Sequence, residues 1–155
     1  MKKGIVFIIL ITTVASCQTN TNKAEPKQTS LPLQGTWQLI SATLIENGIT
    51  TTTDYTKNIS FIKIINEDHF AFLQHDLNKG KDSTAKYVSG AGSYSLKDST
   101  YTEHLEYCSA REWEGNDFAF TITINNDTLI QTGLEKVEST GVNRLNKETY
   151  VRWKK

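Results

Sequence analysis

The chain has 155 residues, with 17 basic and 17 acidic side chains and a formal charge of zero. That balance leaves no basic footprint for nucleic acid, and the length suits one compact domain rather than two. With only two cysteines, Cys17 and Cys108, a multi-bridge disulfide framework is excluded.

The opening "MKKGIVFIILITTVASC" has two lysines, an uncharged and mostly apolar run from Gly4 to Val14, and small residues before a cysteine. This is the layout of a secretory signal over residues 1–16. The run is too short to span a bilayer as a helix, which takes about 20 apolar residues. Val14-Ala15-Ser16-Cys17 resembles the bacterial lipobox, which implies cleavage before Cys17 and acylation of its thiol. Two or more acyl chains, such as palmitate, anchor stably because each buried methylene adds about 0.8 kcal/mol. The membrane is then a partner through Cys17. Gln18 rather than aspartate after the cysteine suggests sorting to the outer membrane, facing the periplasm. Acylation removes Cys17 from disulfide chemistry, so the fold depends on its core. Without Lys2 and Lys3 the remaining chain is slightly acidic.

Residues 18–30, "QTNTNKAEPKQTS", lack aromatic and branched aliphatic side chains and cannot bury enough surface to order themselves. They read, within a segment 17–32, as a flexible tether with a typical end-to-end distance of roughly 20 Å. Residues 33–155 then form the domain, rich in Thr, Ile, Tyr and Phe, with apolar residues mainly at every second position. Strands are expected near 35–44, 59–66, 69–76, 86–96, 100–108, 117–125, 128–133 and 148–154. The clearest is "FAFTITIN", where Phe118, Phe120, Ile122 and Ile124 share a face before an Asn-Asn-Asp turn. No helical apolar stripe appears. Eight short strands in succession predict an all-β fold, an eight-stranded antiparallel up-and-down barrel whose closure removes exposed edges; a sandwich is the competing arrangement. The polar stretch 46–58, "ENGITTTTDYTKN", reads as a loop, either a lid over the open end or a plain connection.

At the start of the first strand, "LQGTW" puts Gly35 two residues before Trp37. The glycine lets the chain bend and the indole lies across one end of the barrel. In "TYVRWKK" the last strand brings Arg152 to the first, where its guanidinium covers the Trp37 ring, a contact worth about 0.5–2 kcal/mol. This Gly-x-Trp with a late-strand arginine resembles the lipocalin and fatty-acid-binding superfamily. "IKIINEDHFAF", "GAGSYSLKDSTYTEHLEYC" and "GNDFAFTITINNDTLIQTG" further resemble a largely uncharacterised family of small lipocalin-like bacterial lipoproteins. The resemblance implies a barrel closed at one end and open at the other.

Candidate binding residues follow from the inward faces. Phe61, Phe70, Phe72, Tyr94, Phe118 and Phe120 alternate as inward side chains. In "TYTEHLEYC", Tyr101, Glu103, Leu105 and Tyr107 share one face and Cys108 the other. An inward Glu103 needs a cation or donor; Arg152 or a tyrosine hydroxyl is available. Phe70, Phe72, Tyr94, Tyr101, Glu103, Leu105, Phe118 and Phe120 are therefore the candidate ligand contacts. His69 and His75 stand roughly 20 Å apart on a regular strand, so no shared metal is expected, and no residue stands out as a haem ligand. The acids Glu106, Glu112, Glu114 and Asp117 read as a solvated loop around Trp113, which is either a mouth residue or a flap. Gly90 and Gly92 relieve crowding at a bend. No phosphate loop, nucleophilic serine or Cys/His catalytic pattern is present. The expected function is a membrane-anchored binding protein for a small, partly apolar ligand in the cell envelope, without cofactor. The alternative is a filled barrel that binds another envelope protein through its loops.

Overall fold

The computed structural model describes residues 32–154. The expected signal and lipobox, Cys17 included, and all of the tether but Pro32 lie outside these residues. The described chain forms nine strands: β1 Gly35–Glu46, β2 Ile49–Asp54, β3 Ile59–Ile65, β4 His69–Asp76, β5 Tyr87–Lys97, β6 Thr100–Cys108, β7 Asp117–Asn125, β8 Thr128–Val137 and β9 Val142–Arg152. Each ring strand pairs antiparallel with its sequence neighbour, and β1 pairs with β9 to close the ring. The fold is all-β, an eight-stranded up-and-down barrel with one additional strand, as its short alternating segments dictate. Two short 3-10 turns, Arg111–Trp113 and Glu138–Thr140, interrupt the loops.

The additional strand is β2, which replaces the loop expected over 46–58. Asn47 and Gly48 both have positive φ, 52° and 77°, the conformation an Asn-Gly hairpin turn requires. The returning strand pairs with β1 from Glu46↔Ile49 to Ser41↔Asp54. On the same edge β3 holds only the lower part of β1, Gly35 to Gln38. The change of partner occurs at Ile40, whose carbonyl accepts from Tyr55 N at 2.8 Å. On the opposite edge, the register with β9 shifts between Leu39 and Ser41. This bulge moves the inward face by one residue, so Trp37 and Leu39 are buried and the next buried position is Ala42. β8 and β9 also run further than expected, meeting at Val137↔Val142.

A second register shift lies between β5 and β6, at Ala91/Gly92 opposite Leu105 and Tyr107. It corrects the expected face of β6. Tyr101, Glu103 and Leu105 point inward, but Tyr107 is turned out and exposed while Cys108 is part-buried. Gly92 permits the close approach there: a Cβ would meet the His104 carbonyl oxygen at 1.9 Å.

One end of the barrel is sealed. Trp37 is 0% exposed, and its Nε1 donates to the Leu33 carbonyl at 2.8 Å. Leu33, Ile65, Phe70, Tyr101, Leu129 and Tyr150 complete this apolar cluster. Trp37 pairs in register with Arg152, whose Cζ lies 4.1 Å from the indole centroid. Gly35, at φ +137°, leaves room for the guanidinium; a Cβ would stand 2.6 Å from Arg152 Nη1.

Candidate binding cup

Above the seal the barrel holds a polar layer. In "ISFIKII", Lys63 shares a face with Phe61 and Ile65, so the strand's own alternation carries the lysine inward. It is 2% exposed. Its Nζ pairs with Glu103 Oε1 at 2.6 Å and donates to Gln131 Oε1 at 3.2 Å. The rings of Phe70, Tyr101, Phe120 and Tyr150 surround it at 5.4–6.0 Å. Lys63 is thus the partner that Glu103 requires, in place of Arg152, which is committed at the sealed end, or of a tyrosine hydroxyl. The layer continues through Gln131 Nε2 to Glu148 Oε2 at 2.7 Å, which also accepts from Tyr150 OH at 2.8 Å. Burial pushes the Glu148 carboxyl above the ordinary glutamate range; Lys63 opposes this, and the nearby Glu135 and Glu103 add to it. Toward the other end, Glu135 accepts from Arg144 Nε and from Asn146 Nδ2, each at 2.7 Å.

Over this layer opens a cup of about 320 Å³, at the lower end of the roughly 300–1,000 Å³ of ordinary ligand pockets. Its walls are Phe61, Phe72, Val88, Leu105, Phe118 and Phe120; Tyr55, Cys108, Ala110 and Trp113 stand at the rim; Gln74, Glu103, Glu135 and Arg144 supply polar atoms. Phe61 and Phe72 stack at 5.8 Å, and Gly90 makes the space for Phe72, since a Cβ would lie 2.4 Å from its ring. Trp113 packs on Phe118 at 5.6 Å and beneath Arg144, whose Cζ is 5.3 Å from the indole centroid. It is a half-buried flap. Gln74 is only 5% exposed, and its Nε2 has no hydrogen-bond partner.

The structure divides the candidate ligand contacts by depth. Phe72, Glu103, Leu105, Phe118 and Phe120 line the cup. Phe70 and Tyr101 belong to the sealed core below it. Tyr94 packs on Tyr101 at 5.1 Å and donates its hydroxyl to the carbonyls of Asn66 and Glu67 at the closed end. All three rings are remote from the rim because their strands place them near the β3–β4 and β5–β6 turns. Sequence reasoning missed Gln74, Lys63, Glu135 and Arg144. Lys63 and Gln74 each share a face with inward aromatics, and that parity was the available signal.

The histidines are occupied singly. His69 bonds Asp68, His75 the Asp76 carbonyl, and His104 Asp117. Among the described residues no group of three or more His, Cys, Asp or Glu is placed to hold a metal. Of the loop acids, Glu106 accepts from Ser93 and Glu114 from Cys108 N. A broader trough of about 450 Å³ on the outer face of β4–β6, flanked by Tyr87 and Tyr107, is open to solvent and lacks the enclosure of the cup.

A family described as a domain of unknown function, DUF4488, matches residues 32–155, the whole of the barrel. The chain belongs to the DUF4488 family. A lipocalin-like protein from Bacteroides uniformis ATCC 8492 is similar at 16% identity and a TM-score of 0.47, over 78% of this chain and 98% of that one. An uncharacterised protein from Bacteroides eggerthii DSM 20697 is similar at 15% identity and a TM-score of 0.45, over 77% and 98% respectively. No curated protein matches. This DUF4488 barrel has the lipocalin-like build on its own geometry: a meander closed on itself, plugged at one end and hollow at the other. A barrel of eight strands is of the size that either fills with side chains or leaves space for one small ligand.

Proposed function

We propose that the protein is a lipid-anchored binding protein of the cell envelope whose barrel takes up one small, partly apolar molecule. The observation that supports this reading is the cup itself, apolar-walled and open between Tyr55, Ala110 and Trp113, with the buried Gln74 Nε2 left without a partner. Aromatic walls with a few fixed polar atoms are the usual make-up of a small-molecule site. The anchor on Cys17 and the outer-membrane, periplasm-facing location rest on the lipobox reading of residues 14–17.

The cup is tested by titrating the Cys17→Ser protein with N-phenyl-1-naphthylamine, an uncharged fluorescent probe. Saturable one-to-one binding is expected, and Leu105→Trp, which fills the cup, abolishes it while the thermal transition stays cooperative. Absence of saturable binding, or equal binding by the filled variant, overturns the reading. The anchor is tested separately in the native host. Cys17→Ser is expected to abolish radiolabelled palmitate incorporation and to release the protein from the membrane fraction; membrane retention without label refutes it.

A further inference from the structure

Resting on the cup as a ligand site, its polar atoms narrow the class of molecule that fits. Interior cations are already neutralised. Lys63 is paired with Glu103 at 2.6 Å, and Arg144 with Glu135 at 2.7 Å. A third carboxylate, Glu148, faces the same interior with no cation of its own, bonded to Gln131 and Tyr150. Ionised or protonated, it leaves the barrel without a positive surplus. A ligand anion would bring a fourth acidic group into a low-dielectric space that has no free counter-charge, at the desolvation cost an unpaired buried charge carries.

A buried, unpartnered donor of the cup lining points the other way. Gln74 Nε2 is buried and unbonded within the cup lining, and a buried N–H without an acceptor destabilises the empty protein. A ligand oxygen that accepts from it removes that penalty. A protonated amine, which carries donors only, does not. The remaining contacts are the faces and edges of Phe61, Phe72, Phe118 and Trp113, which suit a flat body.

We infer that the cup selects an uncharged molecule with a flat apolar body and a carbonyl-type oxygen that accepts from Gln74 Nε2, and that it discriminates against carboxylates with the same body. The geometry thereby sets this barrel apart from a carrier of free fatty acids.

The test uses three probes that share one ring system: 2-acetylnaphthalene, 2-naphthoate and 2-naphthylmethylammonium, titrated calorimetrically into the Cys17→Ser protein at neutral pH. The ketone is expected to bind about tenfold more tightly than either ion. Gln74→Met, with Gln74→Leu as a second variant, is expected to weaken the ketone about fivefold, the value of one neutral hydrogen bond. The same variants leave the ions unchanged and do not lower the melting temperature. Naphthoate or the ammonium binding as tightly as the ketone, or an unchanged ketone affinity in both Gln74 variants, overturns the inference and leaves the cup intact. If none of the three binds the folded protein, the cup reading fails and takes this inference with it.

Discussion

Arg152 lies over Trp37 with its Cζ 4.1 Å from the indole centroid, while Nη1 and Nη2 donate to the carbonyls of Gln34 and Pro32 at 2.9 and 2.7 Å. One guanidinium therefore holds the plug, the last strand and the chain leading into the first strand. Removing it in Arg152→Ala is expected to cost about 2–3 kcal/mol, combining the ring contact with two charge-assisted hydrogen bonds. Arg152→Lys keeps the charge but loses the planar fork, and is expected to recover less than half of that. Urea denaturation followed by tryptophan emission measures both.

Lys63 and Glu103 form a pair that neither can leave alone. Lys63→Met strands Glu103 among apolar rings and is expected to cost about 3–5 kcal/mol. The double variant Lys63→Met/Glu103→Leu removes both charges and is expected to fall within about 1 kcal/mol of the parent. A double variant as unstable as the single one would show that the layer is held by its wider network rather than by this pair.

Gly92 is fixed by its neighbour across the bulge. A methyl group would press on the His104 carbonyl oxygen, which is backbone and cannot swing aside. Gly92→Ala is expected to cost about 2 kcal/mol or more. Gly48→Ala meets nothing within 4 Å and is expected to lose only the roughly 1–2 kcal/mol of its positive φ. Thermal unfolding of the two variants side by side checks the difference.

The raised Glu148 carboxyl gives stability a defined pH dependence. The folded protein holds this proton more tightly than the unfolded chain, so the group favours folding below its ordinary value of 4.5 and loses that contribution as pH rises through the higher folded value. Glu148→Gln keeps an oxygen to accept from Gln131 and Tyr150 but has no proton to lose. Its stability relative to the parent is expected to rise with pH above 4.5 and level off once Glu148 is ionised in the folded parent. A constant difference from pH 4 to 8, measured by urea midpoints, would refute the assignment.

The ring strands were readable because each places apolar residues on alternate positions. β2 was not, since its Thr50, Thr51 and Thr52 are exposed on a ribbon that buries neither face, and apolar periodicity has nothing to report there. Its signal was the turn, Asn47-Gly48, rather than the strand. The upper halves of β8 and β9 were hidden for the opposite reason: Glu135 and Asn146 are polar side chains on buried positions, which inverts the expected pattern. Alternation also assigns a face but not a height, so Phe70 and Phe72 read alike although one lies in the seal and the other in the cup wall. The flip of Tyr107 and Cys108 depended on a bulge opposite Gly92, a feature that leaves only a glycine in the sequence.

The bond from Trp37 Nε1 to the Leu33 carbonyl fixes which pole of the molecule receives the preceding chain. Anything that fastens residues ahead of Pro32 to a surface pulls on the stoppered pole, and the rim formed by Tyr55 and Trp113 sits at the far one. Under the proposed anchor on Cys17, the point of attachment and the opening of the cup therefore lie at opposite poles of the barrel.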